Sequence, residues 1–204
     1  MAYYEAICFD FDGVLADSEP VHFDCWTEVL KSLGIQLDWN TYAKYCIGVP
    51  DALVAEFFRH LTDPPATYGA VWALHARKRD LFRARMQAAP PISEGVIDCI
   101  KSLSHYRLAL VSASSRSELE PLIERAGMRA CFAALVCAED VERTKPAPDP
   151  YLLAVRLLGV TRALAVEDSA SGIESARAAG LDVLEVVSPV EMPGLLSTRL
   201  GNFR

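Results

Sequence analysis

The chain has 204 residues, 51% of them hydrophobic and 23% charged, with a formal net charge of −7. A chain of that size and mix can bury one good core plus a small accessory domain, so it needs neither disulfides nor a structural metal to fold. The acidic balance argues against nucleic acid as a partner. The longest uninterrupted apolar stretch, ACFAALVCA at 130–138, falls far short of the roughly 18 residues of a membrane-spanning helix, which argues against a membrane.

The N-terminal MAYYEAICFD has no basic start and meets an acid at Asp10, so it does not read as a secretory signal. Cys8, Cys25, Cys46, Cys99, Cys131 and Cys137 are scattered without a CxxC pair and read as buried thiols of a reducing, cytoplasmic compartment. A monomer is compatible with the sequence, which does not decide the oligomeric state.

In chain order, the first strand candidate is EAICFD at 5–10, which ends on Asp10 and runs into Asp12 and Gly13. The next begins only at 107, and the intervening pattern is helical. Phe23, Trp26, Leu30 and Leu33 share one face, then Leu53, Phe57 and Leu61, then Trp72, Leu81 and Phe82 in a long third segment. A crossover of such length is implausible. The segment 16–89 is therefore expected to be a helical domain inserted after the first strand of a core formed by 1–15 and 90–204, with ADSEP at 16–20 and QAAPPIS at 87–93 as linkers. Within it, HARKRDLFRAR at 75–85 groups Arg77, Lys78, Arg79, Arg83 and Arg85, either as a solvated helix face or as a positive rim for a small anion. His22 and Cys25 lie three apart, which suits a packed histidine better than a metal pair.

From 93 onward helices and strands alternate. A helix at 93–104 starts at Ser93 and stripes Val96, Ile97, Ile100 and Leu103; the strand RLALVS at 107–112 ends in Ser112, Ala113 and Ser114. A helix at 116–126 follows a Ser115/Glu118 capping box and stops at Gly127. The strand AALVCA at 133–138 leads to RTKPAPDP, which holds Lys145, and to a helix at 150–158 capped by Asp149 with Pro150 in its first turn. The strand ALAVED at 163–168 ends in Glu167 and Asp168, a helix at 170–179 stops at Gly180, and LDVLEVV at 181–187 is the last strand. This predicts an α/β core, a doubly wound parallel sheet covered by helices.

Ligands of such sheets bind beyond the carboxyl ends of the strands. The strand ends would bring together Asp10, Asp12, Ser112, Ala113, Ser114, Lys145, Glu167 and Asp168. Carboxylates suit a hard cation such as magnesium, and a lysine beside hydroxyls and amides suits phosphate oxygens, so the set points to phosphoryl transfer.

DFDGVLADSE, the strand-terminal Ser112, Lys145 in KPAPDP, and the EDS at 167–169 resemble the four motifs of the haloacid dehalogenase superfamily, in its phosphatase and phosphomutase branch. The resemblance spans the core from about residue 5 to residue 187, and the inserted domain is similar to the small cap of the β-phosphoglucomutase-like group. It implies a Rossmann-like core and an aspartyl-phosphate mechanism with Mg2+. By this likeness Asp10 is the nucleophile. Asp12 is the general acid/base, and its main-chain carbonyl binds the metal. Ser112, Ala113 and Ser114 bind phosphate, and Lys145 neutralises nucleophile and phosphate. Asp168 is a metal carboxylate, with Glu167 as a further ligand or the acid behind it. Asp12 also makes the dehalogenase branch unsuitable.

For substrate, HFDCW with His22 and Trp26, together with Lys78, resembles the cap contacts of that group and implies a sugar phosphate. In IGVPDAL, however, Ile47 and Asp51 stand where a mutase would carry a lysine and an arginine, and a carboxylate at Asp51 would repel a second phosphate. The expected function is therefore hydrolysis of a small phosphorylated metabolite, a sugar or sugar-acid phosphate. A phosphosugar mutase is the alternative, and a non-catalytic regulatory or binding protein on the same fold a remote one. A glycosidase would have no use for Lys145 and the Ser112 loop beside its acids.

Overall fold

The computed structural model describes residues 4–47, 49 and 51–201. Two compact units are present, one formed by the chain up to Asp17 and again from Pro90, the other by Ser18–Ala89.

The discontinuous unit holds five strands: β1 Ala6–Phe9, β2 Arg107–Val111, β3 Phe132–Val136, β4 Ala163–Glu167 and β5 Asp182–Glu185. All pair in parallel, in the order β3-β2-β1-β4-β5. The central strand β1 is buried along its whole length, as a parallel strand covered on both faces must be. Its register sets Cys8 beside Ala109 on one side and Ala165 on the other. These small side chains let the helix at Asp149–Leu158 approach closely, and Tyr151, Ala154 and Leu158 pack on them as one stripe. Each observed strand ends one or two residues short of the apolar run that predicts it, because the residues that follow turn away into loops.

The helices between the strands start where short polar side chains can take a free amide. Ser93 accepts from the Val96 amide, and Ser169 from the Gly172 amide, opening the helices at Glu94–Ser102 and Ala170–Ala178. Two expected caps differ. At Arg116–Arg125 the Ser115 hydroxyl makes no bond to the helix amides and instead donates to the Glu118 carboxylate at 3.1 Å. At Asp149–Leu158 the cap position belongs to Pro148, and Asp149 lies inside the first turn with its carboxylate 3.0 Å from Arg143 Nη2. The final helix, Met192–Leu200, follows β5.

The other unit is all helical: Glu19–Leu30, Trp39–Tyr45, Asp51–Phe58, Tyr68–Trp72 and His75–Ala88. Its core joins Trp26, Val29, Leu30, Tyr42, Val54, Phe58 and Val71. The helix Asp51–Phe58 buries Val54, Ala55 and Phe58, and leaves Leu53 61% exposed rather than inside. Nearly every side chain there is apolar, so periodicity could not choose the buried stripe. The long third segment is in fact two helices, and a further helix, Trp39–Tyr45, opens where the Asp38 carboxylate accepts the Thr41 amide.

Where the chain leaves the sheet unit and returns to it, the Asp17 amide donates to the Pro91 carbonyl at 3.0 Å.

Candidate active site

The site begins with the turn after β1. The Asp10 amide donates to the Val166 carbonyl at 3.0 Å, which extends the β1–β4 ladder by one residue and fixes the start of the loop. The Phe11 carbonyl then accepts the Leu15 and Ala16 amides, and Gly13 N–H donates to the Ala16 carbonyl. Gly13 sits at φ +75, and a methyl group there would overlap the Asp168 carboxylate. Glycine is thus required both by the backbone conformation and by the close approach of β1's loop to β4's. After β2, the Ser112 amide donates to the Val136 carbonyl at 2.9 Å, and the nearly buried Ser112 hydroxyl accepts the Ser114 amide at 3.0 Å. Ala113 is exposed in this turn and Ser114 half-buried.

Lys145 is the convergence point. Its ammonium lies 2.5 Å from Asp10 Oδ1, 2.6 Å from Glu167 Oε1 and 2.9 Å from the Val111 carbonyl, so three protons meet three acceptors from three neighbouring strands. Glu167 is fully buried and also accepts the Tyr151 hydroxyl at 2.6 Å, while Ser169 Oγ lies 3.3 Å from its other oxygen. Gly172 leaves room for this carboxylate, since a methyl there would overlap it.

Burial alone would lower the lysine's pKa, but the charges of Asp10 and Glu167 outweigh it and hold Lys145 cationic, above its ordinary value. The acids feel the reverse balance. Burial, only partly offset by Lys145 and worsened by Glu167 and Asp12, pushes Asp10 up to about 7. Asp168, although an exposed residue, rises to about 6 because its carboxyl is desolvated where it lies against the β1 loop at Gly13, and then through the Glu167 charge. One ammonium therefore does not neutralise this cluster. Asp10, Glu167 and Asp168 each offer an oxygen within 4.8 Å of the others. Hard oxygen donors carrying excess negative charge suit a divalent cation such as magnesium, so the residues present fit the ion that the sequence implies. Glu167 Oε1 is taken by Lys145 and Tyr151, which leaves Oε2 as that residue's available donor.

The strand ends thus bring Asp10, Lys145, Glu167 and Asp168 together, with Ser112 at the end of the adjoining strand β2; Asp12 lies on the β1 loop, and its charge is felt at both Asp10 and Asp168. Tyr151 was not anticipated. Its only signal in the sequence is an aromatic at the head of the buried stripe it shares with Ala154 and Leu158.

In the helical unit, Lys78 is 2% exposed and bonds both Asp51 oxygens at 3.0 and 3.2 Å, and His75 Nε2 lies 2.9 Å from the same carboxylate. Trp26 and Phe82 face the ammonium at 5.2 and 5.8 Å. This corrects the picture of Asp51 as a bare repelling charge: it is neutralised within its own unit. Burial raises its pKa, but Lys78 and His75 more than offset this and bring it below the usual carboxylate range. His22 stacks on Phe82 at 3.9 Å, and burial, then the Lys78 charge, pushes its pKa down to about 4. Cys25 lies 3.7 Å from Arg85 Nη1. The basic run is largely paired as well, with Arg77 and Arg85 on Glu28 and Arg83 on Asp80. Cys131 is half-buried and the other cysteines are buried, all as free thiols. No helix among the described residues is long and apolar enough to cross a membrane.

Comparison with known proteins agrees with this architecture. Fructose-1-phosphate phosphatase YqaB of Escherichia coli K12 is 34% identical over 90% of this chain and 96% of its own. The phosphorylated carbohydrates phosphatase of Thermotoga maritima is 28% identical over 87% and 82%. The crystal structure of CbbY from Rhodobacter sphaeroides in complex with phosphate superposes with a TM-score of 0.66, at 32% identity, over 89% of this chain and 85% of that one. The family profile described as haloacid dehalogenase-like hydrolase matches residues 4–180, and the chain belongs to that family.

Proposed function

We propose that this phosphoric monoester hydrolase is a magnesium-dependent phosphatase of small sugar phosphates that works through an aspartyl phosphate on Asp10. The observation that carries the reading is the Lys145 ammonium held on Asp10 at the end of the central strand, with the Ser112 hydroxyl at the end of β2. Asp10 attacks phosphorus, and the bond to the sugar oxygen breaks; Asp12 gives that oxygen a proton. Asp12 then takes a proton from water as the water oxygen attacks phosphorus, which frees Asp10 and inorganic phosphate. Lys145, the Ser112 hydroxyl, the Ala113 amide and the Ser114 hydroxyl steady the transferring phosphoryl oxygens. A magnesium ion, when held by the Asp10 and Asp168 carboxylates with Glu167 and the Asp12 carbonyl available, supplies further charge neutralisation there.

The named activities of the relatives, on fructose 1-phosphate and on phosphorylated carbohydrates, support a sugar phosphate as substrate. Ser18–Ala89 acts as a cap that selects it, with His22 as a polar contact, while Lys78, 2% exposed and held on Asp51, orders that unit from within. Lys78 and His75 both pair with Asp51, which leaves no uncommitted cation in that cluster for a second phosphate and favours hydrolysis over mutase action. The test is phosphate release from fructose 1-phosphate, hexitol phosphates, sugar-acid phosphates and β-glucose 1-phosphate, with and without magnesium, the last scored also for isomerisation. Magnesium-dependent release on at least one ester is expected. Isomerisation in place of release would establish the mutase, and silence across the panel would end the enzymatic reading.

A further inference from the structure

Lys145 uses its three protons on Asp10, Glu167 and the Val111 carbonyl, so its position is a contest between two carboxylates on adjacent strands. Glu167 is the deeper of the two, with no exposed surface, and an ammonium between them would be drawn toward it if nothing else shared its charge. Tyr151 shares it. The phenol donates to the same oxygen, Glu167 Oε1, at 2.6 Å, and Lys145 Nζ also lies 5.3 Å from the centre of the Tyr151 ring.

We propose that Tyr151 is a positioning residue: by donating to Glu167 Oε1, it weakens the grip of Glu167 on Lys145 and leaves the ammonium on Asp10, where it serves phosphoryl transfer. The proposal rests on the phosphatase reading for its kinetic consequence and on the hydrogen bonds alone for its structural one. Tyr151 touches neither reacting atom. It acts through Glu167, and the ring and the hydroxyl have separable parts, the ring packing against the sheet and the hydroxyl dividing the charge.

Tyr151→Phe keeps the ring and deletes the hydroxyl. On a sugar phosphate that the wild type hydrolyses, kcat is expected to fall about 10-fold with KM within twofold, because Lys145 would no longer be held on the nucleophile. A crystal structure of Tyr151→Phe should show Lys145 Nζ shifted to the Glu167 side, still bonded to Glu167 and no longer within hydrogen-bond distance of Asp10. Tyr151→Met, which lacks both ring and hydroxyl, should show the same shift of Lys145 together with a lower unfolding temperature. Unchanged kcat in Tyr151→Phe, a rise in KM alone, or Lys145 still bonded to Asp10 would each overturn the proposal. A wild type inactive on every ester would instead defeat the phosphatase reading, and the crystallographic comparison would still decide the role of Tyr151.

Discussion

Each unit of the molecule buries a lysine, and the two are held in opposite ways. Lys145 lies between two carboxylates in the sheet unit, and the acids around it outnumber it. Lys78 lies against one carboxylate in the helical unit, with Trp26 and Phe82 facing the charge, and it neutralises that acid, which His75 Nε2 also approaches at 2.9 Å. Burial would penalise an isolated ion at either place. What differs is the remainder after pairing. Around Lys145 an excess of negative charge is left, which invites a metal ion and keeps Asp10 and Asp168 above their ordinary pKa values; around Asp51 none is left, and the carboxyl falls below its own. An unbalanced cluster is prepared for chemistry, whereas a balanced one is prepared for shape.

The contrast can be broken first at Asp10. Asp10→Asn should remove turnover and covalent phosphorylation together, read by phosphate release and by intact mass after substrate addition; retained activity would end the nucleophile assignment. Asp12→Asn should leave every hydrogen bond of Lys145 in place and still slow kcat by about 10² to 10⁴, the usual scale of general acid/base help. A change in KM alone would make Asp12 a binding residue. The two lysines themselves should separate in stability. Lys145→Met strands two buried carboxylates and should cost about 3–5 kcal/mol in denaturant unfolding. Lys78→Met leaves a carboxylate that can rehydrate, and should cost about 1–2 kcal/mol; equal losses would show that the two environments are alike.

His22 sharpens the comparison through pH. Its folded pKa of about 4 lies below the ordinary 6.5, so the unfolded chain binds a proton that the folded helical unit refuses. Stability is therefore fully present above pH 6.5, declines as pH falls toward 4, and declines no further from this group below that. The loss is on the order of 2–3 kcal/mol. His22→Phe, which preserves stacking on Phe82, should flatten that part of the profile measured by thermal unfolding; an unchanged slope would mean that His22 titrates normally.

Much of the sheet unit could be read from residue order, because short apolar runs ended by polar side chains report both a strand and what stands at its tip. Asp10, Ser112, Glu167 and Asp168 were visible for that reason, and Lys145 through the prolines that frame it. The role of Tyr151 could not be seen, since an aromatic on a buried helical stripe looks the same whether or not its hydroxyl has a partner. The helical unit was harder. In DALVAEFF two apolar stripes compete, and only packing against Trp26 selects Val54 and Phe58. Lys78 hides within a run of arginines, and its partner Asp51 is 27 residues distant in sequence.

The hydrogen bond from the Asp17 amide to the Pro91 carbonyl makes the helical insert a cassette with a shared socket. Because the two ends already meet in the sheet unit, the insert closes a loop whose entropic cost grows only about 0.6 kcal/mol for each doubling of its length. Inserts of very different size could be exchanged at that socket with little change to the strands beneath. The helical unit and the sheet unit can then diverge on separate stretches of one gene, since new helices between Asp17 and Pro91 need not disturb how Lys145 meets Asp10.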